Sequence, residues 1–390
     1  MAESVIKSYF PSQVVSDAEK LSYDYGLKVA KAIETEWFYD NRSQTRYDAN
    51  FNNFHNLRLY ARGEQSIQKY KDELSINGDL SYLNLDWTPV PIIPKFVDIV
   101  VNGIADRAFE IKAHSQDEYG IAKRTEYMES ILGDMAAREM NDFAAQEFGI
   151  NLYENDPETL PENQEELELH MQLSYKQAVE IAEEQAINVL LEGNNYDLIK
   201  RRLYYDLTVL GIGAVKTNFT TSEGVTIEYV DPADLVYSYT ESPYFDDIYY
   251  VGEIKTIPVN ELVKQFPHLS QEDLEEIRST GYTQGASYSS GIRYKDVDKN
   301  KVQVLYFNYK TYMNEVYKVK ETSSGADKLI EKNDNFDPPK DAQGNFSKLE
   351  RAIETLYEGA LILGTNKLLK WEMSENMMRS KSNFTKVKMN

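Results

Sequence analysis

WTPVPIIPKFVDIVVNGIADRAFEIKA, residues Trp87 to Ala113, is the stretch on which the fold class turns. Three prolines, Pro89, Pro91 and Pro94, punctuate its start. Proline fixes φ near −65° and pushes its predecessor into extended geometry, so Trp87 to Ile93 is expected to run extended. Pro94 sits where a helix can begin, because the first helical N–H needs no partner. Val97, Val100, Val101, Ile104 and Ala108 then recur at steps of three or four, which is one apolar face of a helix. Phe109, Ile111 and Ala113 alternate with Glu110 and Lys112, the period of a half-buried strand. An extended anchor, a helix and a strand follow without spare residues. The sequence therefore predicts a scaffold here, with Trp87, Pro89, Pro91, Pro94, Val97, Val100, Val101 and Ile104 as core positions.

Outward from this stretch, the chain of 390 residues is long enough for two or three domains. Its formal charge of −22 excludes tight wrapping of nucleic acid, which needs a basic footprint. Such a surface suits DNA sliding past without sticking, but charge alone favours an ordinary acidic protein. Cysteine is absent, so there is no disulfide framework and no thiolate zinc site. The four histidines are scattered and none belongs to an HExxH pair. No basic start followed by an apolar run opens the chain, and no stretch approaches the roughly 20 apolar residues of a membrane helix. A protein without membrane contact is expected. The 29 tyrosines, each an apolar body with a polar tip, fit a subunit of an assembly and fit half-buried strands as well.

Upstream, Ser16 and Glu19 form a capping box for one amphipathic helix over Ser16–Tyr39, with Gly26 tolerated at a cost of about 1 kcal/mol. Asn41–His55 has no clear period. Asn56–Leu74 reads as a helix with Gly63 near its middle. Downstream, Ala122–Phe148 is helical and closed by Gly149. Asn155–Glu166 reads as an exposed acidic loop. A second long helix is expected from about Gln164 to Leu191, and a third over Tyr196–Leu210. At Gly211 the period changes to two. Ala214–Thr220 and Val225–Val230 form a hairpin around Thr221–Gly224. Leu235–Tyr239 and Tyr249–Ile257 are further strands. Pro258 opens a short helix through Phe266, and Ser270 with Asp273 opens another. Lys301–Lys310 and Thr311–Val319 are expected to pair as a hairpin. Glu321–Ser347 reads as a mobile insertion or long loop. Leu356–Leu363 and Lys367–Trp371 are strands about a Gly364–Asn366 turn, and Ser374–Asn390 is a polar, basic tail.

The expected class is α+β, with long helices packed on small antiparallel sheets. The expected divisions are a helical N-terminal region (1–86), a helical core (87–210) and a β-rich region with short helices (211–320). A mobile loop (321–348) and a closing β-hairpin (349–390) complete the chain.

The search for chemistry ends mostly in structural readings. Gly211-Ile212-Gly213 lacks the third glycine of a nucleotide loop and leads into a strand, so it reads as a turn. No GxxxxGK[ST], GxSxG or kinase motif occurs. Asp246-Asp247 and Asp231/Asp234 are carboxylate pairs of the kind that bind Mg²⁺ or Ca²⁺, and are also ordinary turn residues. Trp37, Trp87 and Trp371 read as packing anchors. Lys367, Lys370, Arg379, Lys381, Lys386 and Lys388 make the tail basic, either as a solvated flank or as a contact for nucleic acid or an acidic partner. No catalytic residue, cofactor or metal ligand is assigned.

The anchor stretch, GIGAVKTNF (211–219), VDPADLVYS (230–238) and DDIYYVGEIKTI (246–257) occur in that order, followed by LYEGALILGTNKLLKWE (356–372). Together they resemble the N-terminal part of portal proteins of tailed bacteriophages, especially those of crAss-like phages. The resemblance covers most of Asn56–Asn390. It implies the wing region of a dodecameric ring, the head-to-tail connector at the unique capsid vertex, assembled in the host cytoplasm. DNA is packaged and ejected through such a ring. It further implies contacts with the major capsid protein, the terminase and tail or connector proteins, and no catalytic site. Departing from the pattern, no long stem helices and no clip follow Trp371. The alternative expectation is another virion structural or cargo-binding protein with an α+β interaction domain.

Overall fold

The computed structural model describes all residues except 1–8, 40–44, 65, 76–85, 88–89, 108, 151, 158, 174, 221–223, 243, 278–299, 322–326, 334–335, 339–347, 375–383 and 389–390. The protein is α+β, and its described strands pair antiparallel. It divides into two compact units, residues 1–106 with 198–390, and residues 107–197.

The first unit opens with α1 (Asp17–Lys20), α2 (Tyr23–Phe38), α3 (Arg46–Arg62), α4 (Gln68–Leu74) and α5 (Ile93–Ala105). The helix expected over Ser16–Tyr39 is two, because serine caps twice. Ser16 Oγ accepts from the Glu19 N–H, and Ser22 Oγ accepts from the Tyr25 N–H at 3.2 Å. Likewise Gly63 does not sit inside a helix. It terminates α3 at φ 73°, a left-handed position that glycine takes without strain, and α4 starts afresh.

Helices α6 (Glu118–Ala136), α7 (Arg138–Phe148), α8 (Gln164–Leu173) and α9 (Ala178–Gly193) make the second unit. The long helix expected over Gln164–Leu191 is thus α8 and α9, parted at 174–177. Gly149 ends α7 at φ 64° as its C-cap.

The chain returns to the first unit along α10 (Tyr196–Leu210). Strands β1 (Ile212–Thr220) and β2 (Gly224–Val230) follow as the expected hairpin, then β3 (Leu235–Tyr237), β4 (Tyr250–Pro258) and α11 (Val259–Gln265). The sheet is completed by β5 (Lys301–Glu321), β6 (Asp327–Lys332), β7 (Lys348–Ile362) and β8 (Leu368–Met373), and β9 is Phe384–Lys388. Three expectations change here. Lys301–Val319 is one continuous strand of 21 residues with Glu321, not a hairpin. Its middle is buried on both faces and holds neither glycine nor proline, and both halves pair in register with β7. Within the expected loop, β6 pairs with the far half of β5. The basic tail supplies β9, a third strand laid on β1.

The larger sheet runs β3-β4-β5-β7-β8, with β6 beside β4 on the same edge of β5. Its two faces follow the period of two in β5. Leu305, Phe307 and Tyr309 pack against Tyr25, Val29, Ile33 and Trp37 of α2. Val302 and Val304 pack on the other side against Leu262 of α11 and Ile277 of the helical residues 271–277. Trp37 is 1% exposed and its indole N–H donates to the Tyr250 hydroxyl at 3.0 Å, so the buried polar edge is satisfied. Gly26 has a packing reason: a Cβ there would come within 2.5 Å of the Trp371 ring, which lies over the helix backbone and donates to the Lys20 carbonyl at 2.9 Å. The smaller sheet, β2-β1-β9, joins the larger through Ala214, Val230, Leu235 and Val251 and through two ion pairs, Lys216–Glu253 (3.0 Å) and Lys255–Glu228 (2.7 Å).

Candidate functional site

Of the anchor positions, Trp87 is half-buried with the Lys71 ammonium 5.6 Å from its ring centroid. Pro89 lies outside the described residues. Pro91 fills the space over Gly63, where a Cβ would stand 3.0 Å from it. Pro94 occupies the first turn of α5, as its missing N–H allows. Val97 and Val101 are buried at 9% and 8% exposure, and Ile104 is half-buried. Val100 is a correction: at 43% exposure it is not a core side chain of this chain. The helix is apolar nearly all round; Val97 and Val101 are its buried side chains, and its last carbonyl, of Ala105, accepts from Lys200 of α10 at 3.0 Å. The periodicity was sufficient to place the helix and insufficient to choose its covered face.

The expected strand at Phe109–Ala113 is absent, for want of a partner strand. Carboxylates of α9 take its place. Glu184 accepts from the Ala113 N–H at 3.0 Å, and Glu180 accepts from the N–H groups of Ser115 at 2.8 Å and Gln177 at 2.9 Å. Burial pushes the Glu180 carboxyl up, but those N–H groups, with His114 and Arg124 near by, outweigh it and hold it below the usual carboxylate range. Its folded pKa is depressed, so its contribution is present above the unfolded value of about 4.3 and is lost as pH falls through the lower folded value. Glu180→Ala is expected to cost about 1.5–3 kcal/mol, because two backbone donors lose a charged acceptor. Far-UV circular dichroism against urea checks this, and the gap between variant and wild type should close below about pH 4. A gap that stays constant to pH 3 would contradict it.

The apolar core of residues 107–197 is small. Their core is Ile131, Leu160, Leu167 and Met171, with a few partly buried tyrosines. Against this stand large apolar side chains in water: Tyr119 at 69% exposure, Phe143 at 59%, Phe148 at 68% and Val189 at 68%.

The carboxylate pairs are occupied in structure. Asp231 takes both nitrogens of the Arg58 fork, at 2.9 and 3.0 Å, and also accepts from the Ala233 N–H. Asp234 accepts from the Tyr47 hydroxyl at 2.8 Å. Asp247 ties down its own loop through Thr240 and the Glu241 N–H, and Asp246 is exposed. Among the described residues no group of three or more His, Asp or Glu could hold a metal ion, and no helix is long and apolar enough to cross a membrane. Gly211 turns the chain from α10 into β1 at φ 75°, and a Cβ on Gly213 would lie 2.4 Å from Leu203, so both glycines have structural tasks. In the basic tail, Lys367 pairs with Asp273 and Glu276, and Lys370 with Glu358 and Glu372, while Arg379 and Lys381 lie outside the described residues.

The junction that sequence reasoning missed is centred on Arg58. Besides Asp231 it binds Asp206 on α10 at 2.9 Å, and Asp206 also accepts from the Tyr229 hydroxyl. The partners are 148 and 173 residues from Arg58, so no local pattern announces them.

No protein-family model and no curated protein matches the sequence.

Proposed function

We propose that this chain is a structural subunit of a tailed-phage portal ring, contributing the wing region. The observation that carries the reading is the mismatch in residues 107–197 between a four-residue buried cluster and many exposed apolar side chains on four helices. Monomeric proteins seldom leave so much large apolar surface in water, and subunits of obligate assemblies do. The ordered sequence stretches that resemble portals supply the kind of assembly, and the charge of −22 suits a passage that DNA crosses without adhering. In this reading the ring number is twelve, the partners are the major capsid protein, terminase and tail or connector proteins, and the chain does no catalysis.

Native mass spectrometry and particle imaging of the full-length protein test it, together with localisation in virions. Rings at the unique vertex are the expected result. A strictly monomeric protein absent from virions would sink the proposal. A virion protein found away from that vertex would replace it with a different structural or cargo-binding role.

A further inference from the structure

The outer side of α5 is an apolar stripe with a shape of its own. Ile92, Phe96, Ile99 and Val100 are 57%, 61%, 58% and 43% exposed. At 100° per residue, positions 96, 99, 100 and 103 fall within a sector of about 100°, centred roughly 130° from the Val97–Val101 side. Position 103 is a glycine whose Cβ would meet nothing within 4 Å. Its φ is not positive, so it is not acting as a cap. Glycine weakens a helix interior, and its place on an outer face is explained by close approach of another backbone.

The stripe thus carries a knob, Phe96, and a hole, Gly103, seven residues or about 10 Å apart along the axis. Turning the helix end for end about the midpoint between them, (96 + 103)/2 = 99.5, exchanges knob and hole. Such a surface is complementary to itself, the condition for a two-fold contact in which each residue meets its counterpart in reverse. Charge points the same way. Helix α5 contains one lysine and one aspartate, and neither lies on the stripe. Two copies that each carry −22 repel least where neither presents carboxylates.

We propose that the outer face of α5 docks antiparallel on the same face of a second copy, Phe96 of each seated over Gly103 of the other. The stripe offers roughly 300–400 Å² per copy, less than the about 800 Å² a standard interface buries per partner. The pair is therefore weak and concentration-dependent. A two-fold pair is not a step around a ring, so the inference is independent of the portal proposal.

Sedimentation equilibrium of the full-length chain between ~1 and ~200 μM is the test, in the range where such small interfaces associate. A monomer–dimer equilibrium is expected. Gly103→Leu should raise its dissociation constant at least tenfold with unchanged circular dichroism, because the hole is filled and nothing within the chain is touched. Val100→Asp should do the same by placing two carboxylates near the axis. The chain has no cysteine. Val100→Cys should therefore form a covalent dimer on oxidation, and Val14→Cys, at 82% exposure and away from both α5 and residues 107–197, should not. A monomer throughout the range, a dimer indifferent to Gly103→Leu, or equal crosslinking from both cysteines would overturn the proposal. Larger rings that persist in Gly103→Leu would leave the portal proposal standing while this pair is lost.

Discussion

Arg58→Ala is expected to cost about 3–5 kcal/mol of stability, the range for removing one partner of a buried ion pair. The Arg58 side chain is 18% exposed and Asp206 only 2%. The guanidinium holds α3 to α10 through Asp206 and to the end of β2 through Asp231. Burial already raises the Asp206 carboxyl above its ordinary value, with Tyr229 and Arg58 pulling the other way. Asp231 differs: burial pushes it up as well, but Arg58 and the Ala233 N–H win and hold it low. Without Arg58, Asp206 keeps only the tyrosine hydroxyl and its pKa climbs further. The folded variant then binds a proton that the unfolded chain releases, so its deficit should narrow as pH falls from 7 toward 5. Urea midpoints at the two pH values measure this. Arg58→Ala with Asp206→Asn should recover a large share of the loss at pH 7, since no buried charge remains. Arg58→Lys should recover little, because an ammonium cannot reproduce the bidentate fork. A cost under about 1 kcal/mol would mean that the junction is solvated and behaves as a surface pair.

That junction also marks where sequence reasoning stops. The Ser16 cap, the pairing of β1 with β2, the Gly149 cap and the α5 period are all local chemistry, and they were legible. So were β4, β8 and the second half of β7 as strands. Long-range choices were not. Trp87–Ala113 carries the clearest local pattern in the chain, yet the main core forms where α2 meets β4, β5, β7 and β8. Clarity of pattern measures how strongly a segment prefers one backbone state. Burial depends on which segments meet, and Glu34 shows the difference. It reads as a polar position on a surface helix, but it is 1% exposed and accepts from the Gly364 N–H at 2.6 Å, across 330 residues. The same limit explains β5. Its sequence alternates as the two arms of a hairpin also would, and only the pairing of both halves along β7 shows one continuous strand. For the candidate sites, the aspartate pairs were legible as pairs, but not that Arg58 and Tyr47 occupy them. The apolar stripe of α5 was visible as apolar, and only the structure shows which half is covered.

Phe307→Ala should be as costly as Arg58→Ala, about 3–5 kcal/mol, and near the top of the range for a phenylalanine. The register places Phe307 between Gly252 on β4 and Gly359 on β7, and Gly359 opposite Trp371 on β8. Across the sheet the row is therefore small, large, small, large. A Cβ on Gly359 would stand 2.3 Å from the Phe307 ring, and one on Gly252 would stand 2.8 Å from the Phe307 Cβ. The side chain is 2% exposed, its ring lies over Gly359, and its centroid is 6.1 Å from that of Trp371. Truncation leaves a hole whose in-register neighbours have no side chains to relax into it, and the cost of a cavity rises with what cannot collapse. Gly359→Val should destabilise for the opposite reason, by about 1–3 kcal/mol of overpacking. The two substitutions address one volume, so their combination should cost at least 1 kcal/mol less than their sum, which is coupling of the size seen between touching residues. Urea denaturation of the two single variants and the double variant measures it. Strict additivity would show that the ring and the glycine do not share space, and the alternating row would then have to be abandoned.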